Sequence, residues 1–183
     1  MNHIASLDAY GVLTDATTFT IERLLPGPID LVWAALTQSE LRKHWLAAGE
    51  MELEPGAAFE FVWCNDELSD PPGERPDGFE REYRMESRIT EVAAPNRLSF
   101  LWDAEGEVTF ALEPQGQRVL LQVIHRGLAD RATLLSIAAG WHMHLDILVT
   151  RARGLEPEPF WKGWLRLRQD YEQRLARRFP LAG

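Results

Sequence analysis

The chain has 183 residues, 45% of them hydrophobic, and a formal net charge of −9 at pH 7. That length fits one domain with a sizeable core, and that apolar fraction excludes wholesale disorder. The acidic balance argues against a dedicated nucleic-acid binder, because neutralising phosphates needs a concentrated basic surface. In chain order, Met1 to Ala16 reads as a poorly patterned leader without the basic, apolar and small-residue sequence of a signal peptide. Thr17 to Leu25 alternates, with Phe19, Ile21 and Arg23 on one face, and predicts a first strand. Pro26, Gly27 and Pro28 break it. Ile29 to Thr37 then places Ile29, Val32, Trp33 and Leu36 at helical spacing. Ser39 can cap a second short helix carrying Leu41, Trp45 and Leu46.

A series of strands follows. Glu50 to Glu54 sets Met51 and Leu53 against three glutamates, and Ala57 to Cys64 puts Phe59, Phe61 and Trp63 on one face. Asn65 to Gly78, rich in Pro, Gly and acids, predicts a long loop of the kind that often carries function. Glu80 to Val92 turns Tyr83, Met85, Ser87 and Ile89 one way and Glu82, Arg84, Glu86 and Arg88 the other. Three more strands align Leu98, Phe100 and Trp102, then Val108, Phe110 and Leu112, then Val119, Leu121, Val123 and His125. Breaks at Pro95-Asn96, Gly106 and Pro114-Gln115-Gly116 separate them.

Asp130 to Gly154 predicts one long helix. Leu134, Ala138, Trp141, Leu145, Leu148 and Ala152 recur at intervals of three and four, Asp130 can cap the first turn, and Gly154 fits the left-handed stop. Arg131, His142, His144 and Asp146 interrupt its apolar character and argue against a membrane span. The last segment, Glu156 to Gly183, predicts an amphipathic helix with Trp161, Trp164, Leu165, Tyr171 and Leu175 on its apolar side. It is expected to pack on the outer side of the long helix at Met143 and Ile147, or to project and make a homodimer contact. Its basic run from Arg166 to Arg178 reads as a solvated helix face. Short connections favour antiparallel neighbours, and a sheet with one apolar face must cover it. The expected class is therefore α+β: a curved antiparallel sheet of six or seven strands wrapped around the long C-terminal helix, with two short helices after the first strand.

This order resembles the helix-grip fold of the START-like (SRPBCC) superfamily. Within it, the chain is similar to bacterial proteins resembling the C-terminal domain of the activator of the heat-shock-protein ATPase. The residues that carry the likeness are Phe19, Glu22 and Arg23, then Pro28 and Val32-Trp33-Ala34-Ala35-Leu36, then Trp45 and Pro55-Gly56-Ala57-Ala58-Phe59. Gly140-Trp141-His142, Leu145 and Phe160-Trp161 follow late in the chain. The longer Asn65 to Gly78 loop departs from the usual short mid-sheet hairpin. The resemblance covers roughly Thr17 to Arg178, and the expected organisation is a leader over 1–16, a START-like domain over 17–154 and a helical extension over 155–183 packed on that domain. It implies a hydrophobic cavity between sheet and helix without transferring a substrate.

The expected cavity residues are Trp45, Phe59, Phe61, Trp63, Tyr83, Phe100, Trp102, Phe110, His125, Trp141 and Leu145. Each aromatic can equally fill an ordinary core; as a set they favour a pocket. His125, in phase with the apolar positions of its strand, either orients a polar ligand group or is a satisfied core histidine. The run His142-Met143-His144-Leu145-Asp146 suggests a metal site, but residues two apart on a helix point about 200° apart, so no metal is expected. No serine elbow, phosphate-binding glycine loop or Cys–His pair is present, so no catalytic set or cofactor is expected. With Cys64 as its one cysteine, the chain suits a reducing cytoplasm. The leading expectation is a binder of a small apolar or aromatic ligand. The alternatives are an enzyme like the polyketide cyclases and aromatases, with His125, Tyr83 and Trp45 as candidates, and an interaction module that contacts a chaperone.

Overall fold

In the computed structural model, residues 9–176 are described; the first half of the leader (1–8) and the end of the extension (177–183) lie outside them. Seven strands form one antiparallel sheet in the order β1-β2-β7-β6-β5-β4-β3. They are β1 Val12–Leu13, β2 Phe19–Pro26, β3 Ala58–Trp63, β4 Tyr83–Ala93, β5 Arg97–Trp102, β6 Gly106–Gln115 and β7 Arg118–Arg126. The helices are α1 Ile29–Thr37, α2 Ser39–Arg42, α3 Arg131–Ala152 and α4 Phe160–Ala176. The architecture is the helix-grip one expected from the sequence.

The period-2 pattern decides which face of the sheet is dry. Phe19, Ile21 and Leu25 of β2, Leu98 and Phe100 of β5, Val108 and Phe110 of β6, and Val119, Leu121 and Val123 of β7 are buried on the face that the helices cover. The opposite face carries cross-strand polar pairs such as Gln122 with Glu22 (2.9 Å) and Arg84 with Glu60 (2.8 Å). These solvent-side pairs set register more than stability.

α3 starts where the sequence places its cap: Asp130 accepts from the Thr133 amide at 2.8 Å, and Gly154 stops the chain at φ +70°. It is about 33 Å long, packs on β2 and reaches β5, β6 and β7 through Trp141. It is long and apolar enough to cross a membrane, yet 61% of its most apolar window is buried, so sheet and α4 account for its character. α4 packs along the side that carries Met143 and Ile147, both buried. The approach is close at Gly163, where a methyl group would stand 2.4 Å from Met143 Sδ.

Several sequence expectations give way. Part of the leader is ordered as β1, which pairs with β2 through Val12–Thr20 and Leu13–Phe19. Glu50 to Glu54 forms no strand. Gly49 turns the chain at φ +132°, with its Cα face against the Glu60 carbonyl, and just before it a single bridge joins Ala48 to Val62. Leu165 of the expected apolar side is 41% exposed, and Ala152 lies at the exposed end of α3. Arg42 is fully buried although its charge suggests a surface. It donates to the carbonyls of Ala47, Leu36, Thr37 and Gly49 and lies 5.3 Å from the Phe61 ring centroid, clamping the segment after α2.

Candidate functional site

The 65–80 loop is where the fold opens. It is stapled to α4 and the end of α3 by polar groups of both. The Phe160 amide donates to Ser69 Oγ (2.8 Å), the Trp161 amide to the Pro72 carbonyl (2.9 Å), and Arg151 to the Leu68 carbonyl (3.0 Å). The Trp161 indole N–H donates to Asp66 (2.7 Å), which also pairs with Arg75 (2.8 Å). Phe79 packs its ring against Trp161 and Trp164 at 5.1 and 5.0 Å. Loop and helix together thus roof the end of the sheet.

Beneath that roof lies a cavity of about 420 Å³. Eight aromatic side chains line it: Trp63, Phe79, Tyr83, Trp102, Trp141, Phe160, Trp161 and Trp164. It reaches solvent past Phe79 and Tyr83, which are 40% and 51% exposed. The volume falls within the range of small-molecule sites.

Gly140 of α3 also faces this space. A methyl group built there meets nothing within 4 Å. Glycine inside a helix costs about 0.5–1 kcal/mol relative to alanine. No neighbour requires it, so what it contributes is room in the cavity wall.

Three buried polar groups differ in their surroundings. His144 Nδ1 lies 2.8 Å from the Trp45 carbonyl. A carbonyl only accepts, so Nδ1 carries the proton and Nε2 keeps a free lone pair. Burial pushes the His144 pKa down to about 4, so the ring is neutral near pH 7. Nε2 has no protein partner among the described residues, and His144 is part of the cavity wall. Asn65, at the start of the loop, also lines the cavity, and its Oδ1 is buried without a partner. His125 behaves differently. It accepts at Nδ1 from the Trp141 indole N–H (3.0 Å), which leaves its Nε2–H buried and unpaired. Burial pushes its pKa down to about 3.

The structure brings four of the eleven expected residues to the cavity: Trp63, Tyr83, Trp102 and Trp141. Tyr83 stands at the mouth, because β4 begins there at the end of its pairing with β3. Phe59, Phe61, Phe100 and Phe110 are packed elsewhere, edge against face at 4.8–5.3 Å along the sheet, and fill the core solidly. Trp45 donates its indole N–H to the Ala35 carbonyl (2.8 Å), and Leu145 is wholly buried; neither reaches the cavity. His125 sits behind the wall, its ring 5.0 Å from Trp102, and holds Trp141 in place. His44 is exposed and does not line the cavity. Leu46, Asn65, Phe79, His144, Phe160, Trp161 and Trp164 were not among the expected cavity residues. The aromatic density of Phe160-Trp161 and Trp164 was visible, but not the direction in which those rings turn.

Comparison with known proteins fits this fold. A family model described as Activator of Hsp90 ATPase homolog 1-like protein matches residues 26–152. The solution structure of the protein encoded by gene BPP1335 from Bordetella parapertussis is 37% identical, with a TM-score of 0.77 over 92% of this chain and 91% of that one. CalU16 from Micromonospora echinospora is 22% identical, with a TM-score of 0.62 over 87% and 86% of the two chains. DynU16, a protein in the dynemicin biosynthetic locus, is 17% identical, with a TM-score of 0.58 over 77% of this chain and 49% of its own. The last two likenesses concern the fold. No curated protein matches the chain.

Proposed function

Because the chain belongs to the Activator of Hsp90 ATPase homolog 1-like family, we propose that it binds a small hydrophobic or aromatic molecule under the 65–80 loop. The observation that carries the reading is Gly140. Packing alone would favour alanine at this helix position, yet the wall is kept back where eight rings converge. Apolar surface of this kind, left open to water, gains about 25 cal/mol per Å² when a ligand covers it.

A cyclase-like reaction in the same cavity is the second reading. His144 favours it, since its free Nε2 is the one imidazole nitrogen on the wall that a bound chain can touch. With a pKa of about 4 it is a weak base at neutral pH, so binding is the stronger reading.

The test exploits the tryptophans, because five of the seven line the cavity. A neutral probe such as N-phenyl-1-naphthylamine should quench their emission saturably. Gly140→Leu, which fills the cavity from α3, should fold and lose at least about tenfold in probe affinity, or about 1.4 kcal/mol. Equal affinity in a folded Gly140→Leu variant would sink the proposal.

A further inference from the structure

The cavity wall has a polar chemistry besides its apolar one, and the ligand class it implies rests on the reading that the cavity takes a ligand at all. Glu80, at the rim, is the one charged residue that lines it; no Lys or Arg does so among the described residues. Two acceptors on the wall, His144 Nε2 and Asn65 Oδ1, have no partner among the described residues, while Ser136 and the indoles of Trp63, Trp102 and Trp164 add neutral donors but no positive charge. His144 Nε2 is an acceptor because the Trp45 carbonyl claims the proton on Nδ1. Asn65 Oδ1 is buried and unpaired. A ligand that completes these two acceptors must donate hydrogen bonds.

We infer that the cavity selects uncharged aromatic molecules bearing a hydroxyl or N–H donor, phenols above all, and rejects aromatic carboxylates. A phenol lays its ring among the tryptophans, where edge and face contacts suit a flat π-system. Its O–H then meets Nε2 or Oδ1, satisfying an acceptor that is otherwise unpaired away from water. A carboxylate of the same size has no donor to offer. It would face a lone pair, surrender its hydration and find no cation to compensate. The same reasoning disfavours fatty acids, whose tail suits the wall but whose head does not.

A matched trio separates the donor from the ring: naphthalene, 2-naphthol and 2-naphthoate, each used at pH 7.5 to displace N-phenyl-1-naphthylamine. The wild-type protein should bind 2-naphthol about tenfold more tightly than naphthalene, one neutral hydrogen bond to a desolvated acceptor. It should bind 2-naphthoate at least about tenfold more weakly than 2-naphthol. His144→Phe should retain naphthalene binding and lose most of the preference for 2-naphthol, and Asn65→Leu should reduce it. Equal binding of naphthalene and 2-naphthol, or tight binding of 2-naphthoate, overturns the donor rule and leaves the apolar-cavity reading standing. Failure of the probe and all three compounds to bind overturns both. Should His144→Phe not fold, the imidazole nitrogens of the wild-type protein report directly. Nuclear magnetic resonance of ¹⁵N-labelled histidine should show the His144 Nε2 signal move on saturation with 2-naphthol and stay with naphthalene. An unmoved signal with bound 2-naphthol, together with an unchanged preference for 2-naphthol in Asn65→Leu, overturns the proposal.

Discussion

His142 and His144 lie two residues apart on α3 and face opposite sides of the helix. On the α4 side, His142 Nδ1 is 2.9 Å from the Tyr171 hydroxyl, and its Nε2 is 3.4 Å from Asp146. Asp146 accepts from Arg23 at 2.9 Å, Tyr171 accepts from the Gly11 amide at 2.8 Å, and Tyr10 donates to Asp170 at 2.7 Å. That seam joins the N-terminal segment, β2, α3 and α4, and its polar groups have partners. On the other side, His144 leaves a nitrogen open on an aromatic wall. The difference teaches where to look for function. A buried polar network that is complete holds a fold together; one that stops short at a cavity is completed by something else.

The first way to break this contrast is to cut the seam. Arg23 is 8% exposed and donates to the Ala9 and Glu22 carbonyls as well as to Asp146. Arg23→Met keeps the stem and removes the charge, leaving the Asp146 carboxylate and two carbonyls short of a donor. Because Asp146 is 37% exposed, we expect a loss of about 2–3 kcal/mol in urea unfolding, with probe affinity of the folded fraction unchanged. A parallel loss of affinity would show that seam and cavity are not separate devices.

Acid sharpens the contrast from the cavity side. Burial lowers the pKa of His125 to about 3 and of His144 to about 4, below the ordinary value of 6.5. The unfolded chain then binds more protons than the native one below pH 6.5, so stability falls as pH falls. Each histidine contributes a slope of up to about 1.4 kcal/mol per pH unit, continuing until its folded value is reached. Urea unfolding at pH 7, 6 and 5 should therefore show a progressive decrease, and a flat profile would mean that one ring is not held neutral.

Much of this division was legible in the chain itself. Alternation along β5 to β7 placed Phe100, Phe110, Val123 and His125 inward, and the i, i+3, i+4 spacing of α3 placed Trp141 against the sheet. Trp63, Trp102 and Trp141 reach the cavity because strand and helix phase are local properties. The roof was not legible, because it depends on pairing across more than 80 residues: Asp66 with Trp161, Ser69 with Phe160 and Leu68 with Arg151. No periodicity encodes a loop docking on a distant helix. His144 was passed over for a related reason. Its angular position on α3 was readable, but the Trp45 carbonyl that orients its ring comes from after α2, 99 residues earlier. Arg42 shows the converse, a charged residue that sequence sends outward and four carbonyls draw in.

The smallest expected effect is the most discriminating, because it runs against the usual direction of mutation. Gly140→Ala adds one methyl group where nothing lies within 4 Å. It removes backbone freedom from the unfolded chain and should stabilise the protein by about 0.5–1 kcal/mol. If α3 at this point were ordinary core, the methyl would find neighbours and the gain would vanish or reverse. If the cavity is a binding site, the same methyl narrows it, and probe affinity should fall modestly while stability rises. Opposite signs in the two measurements on one variant are hard to produce by any general loosening of the fold. They would mark Gly140 as a position where stability is held below its optimum by the space the wall must keep.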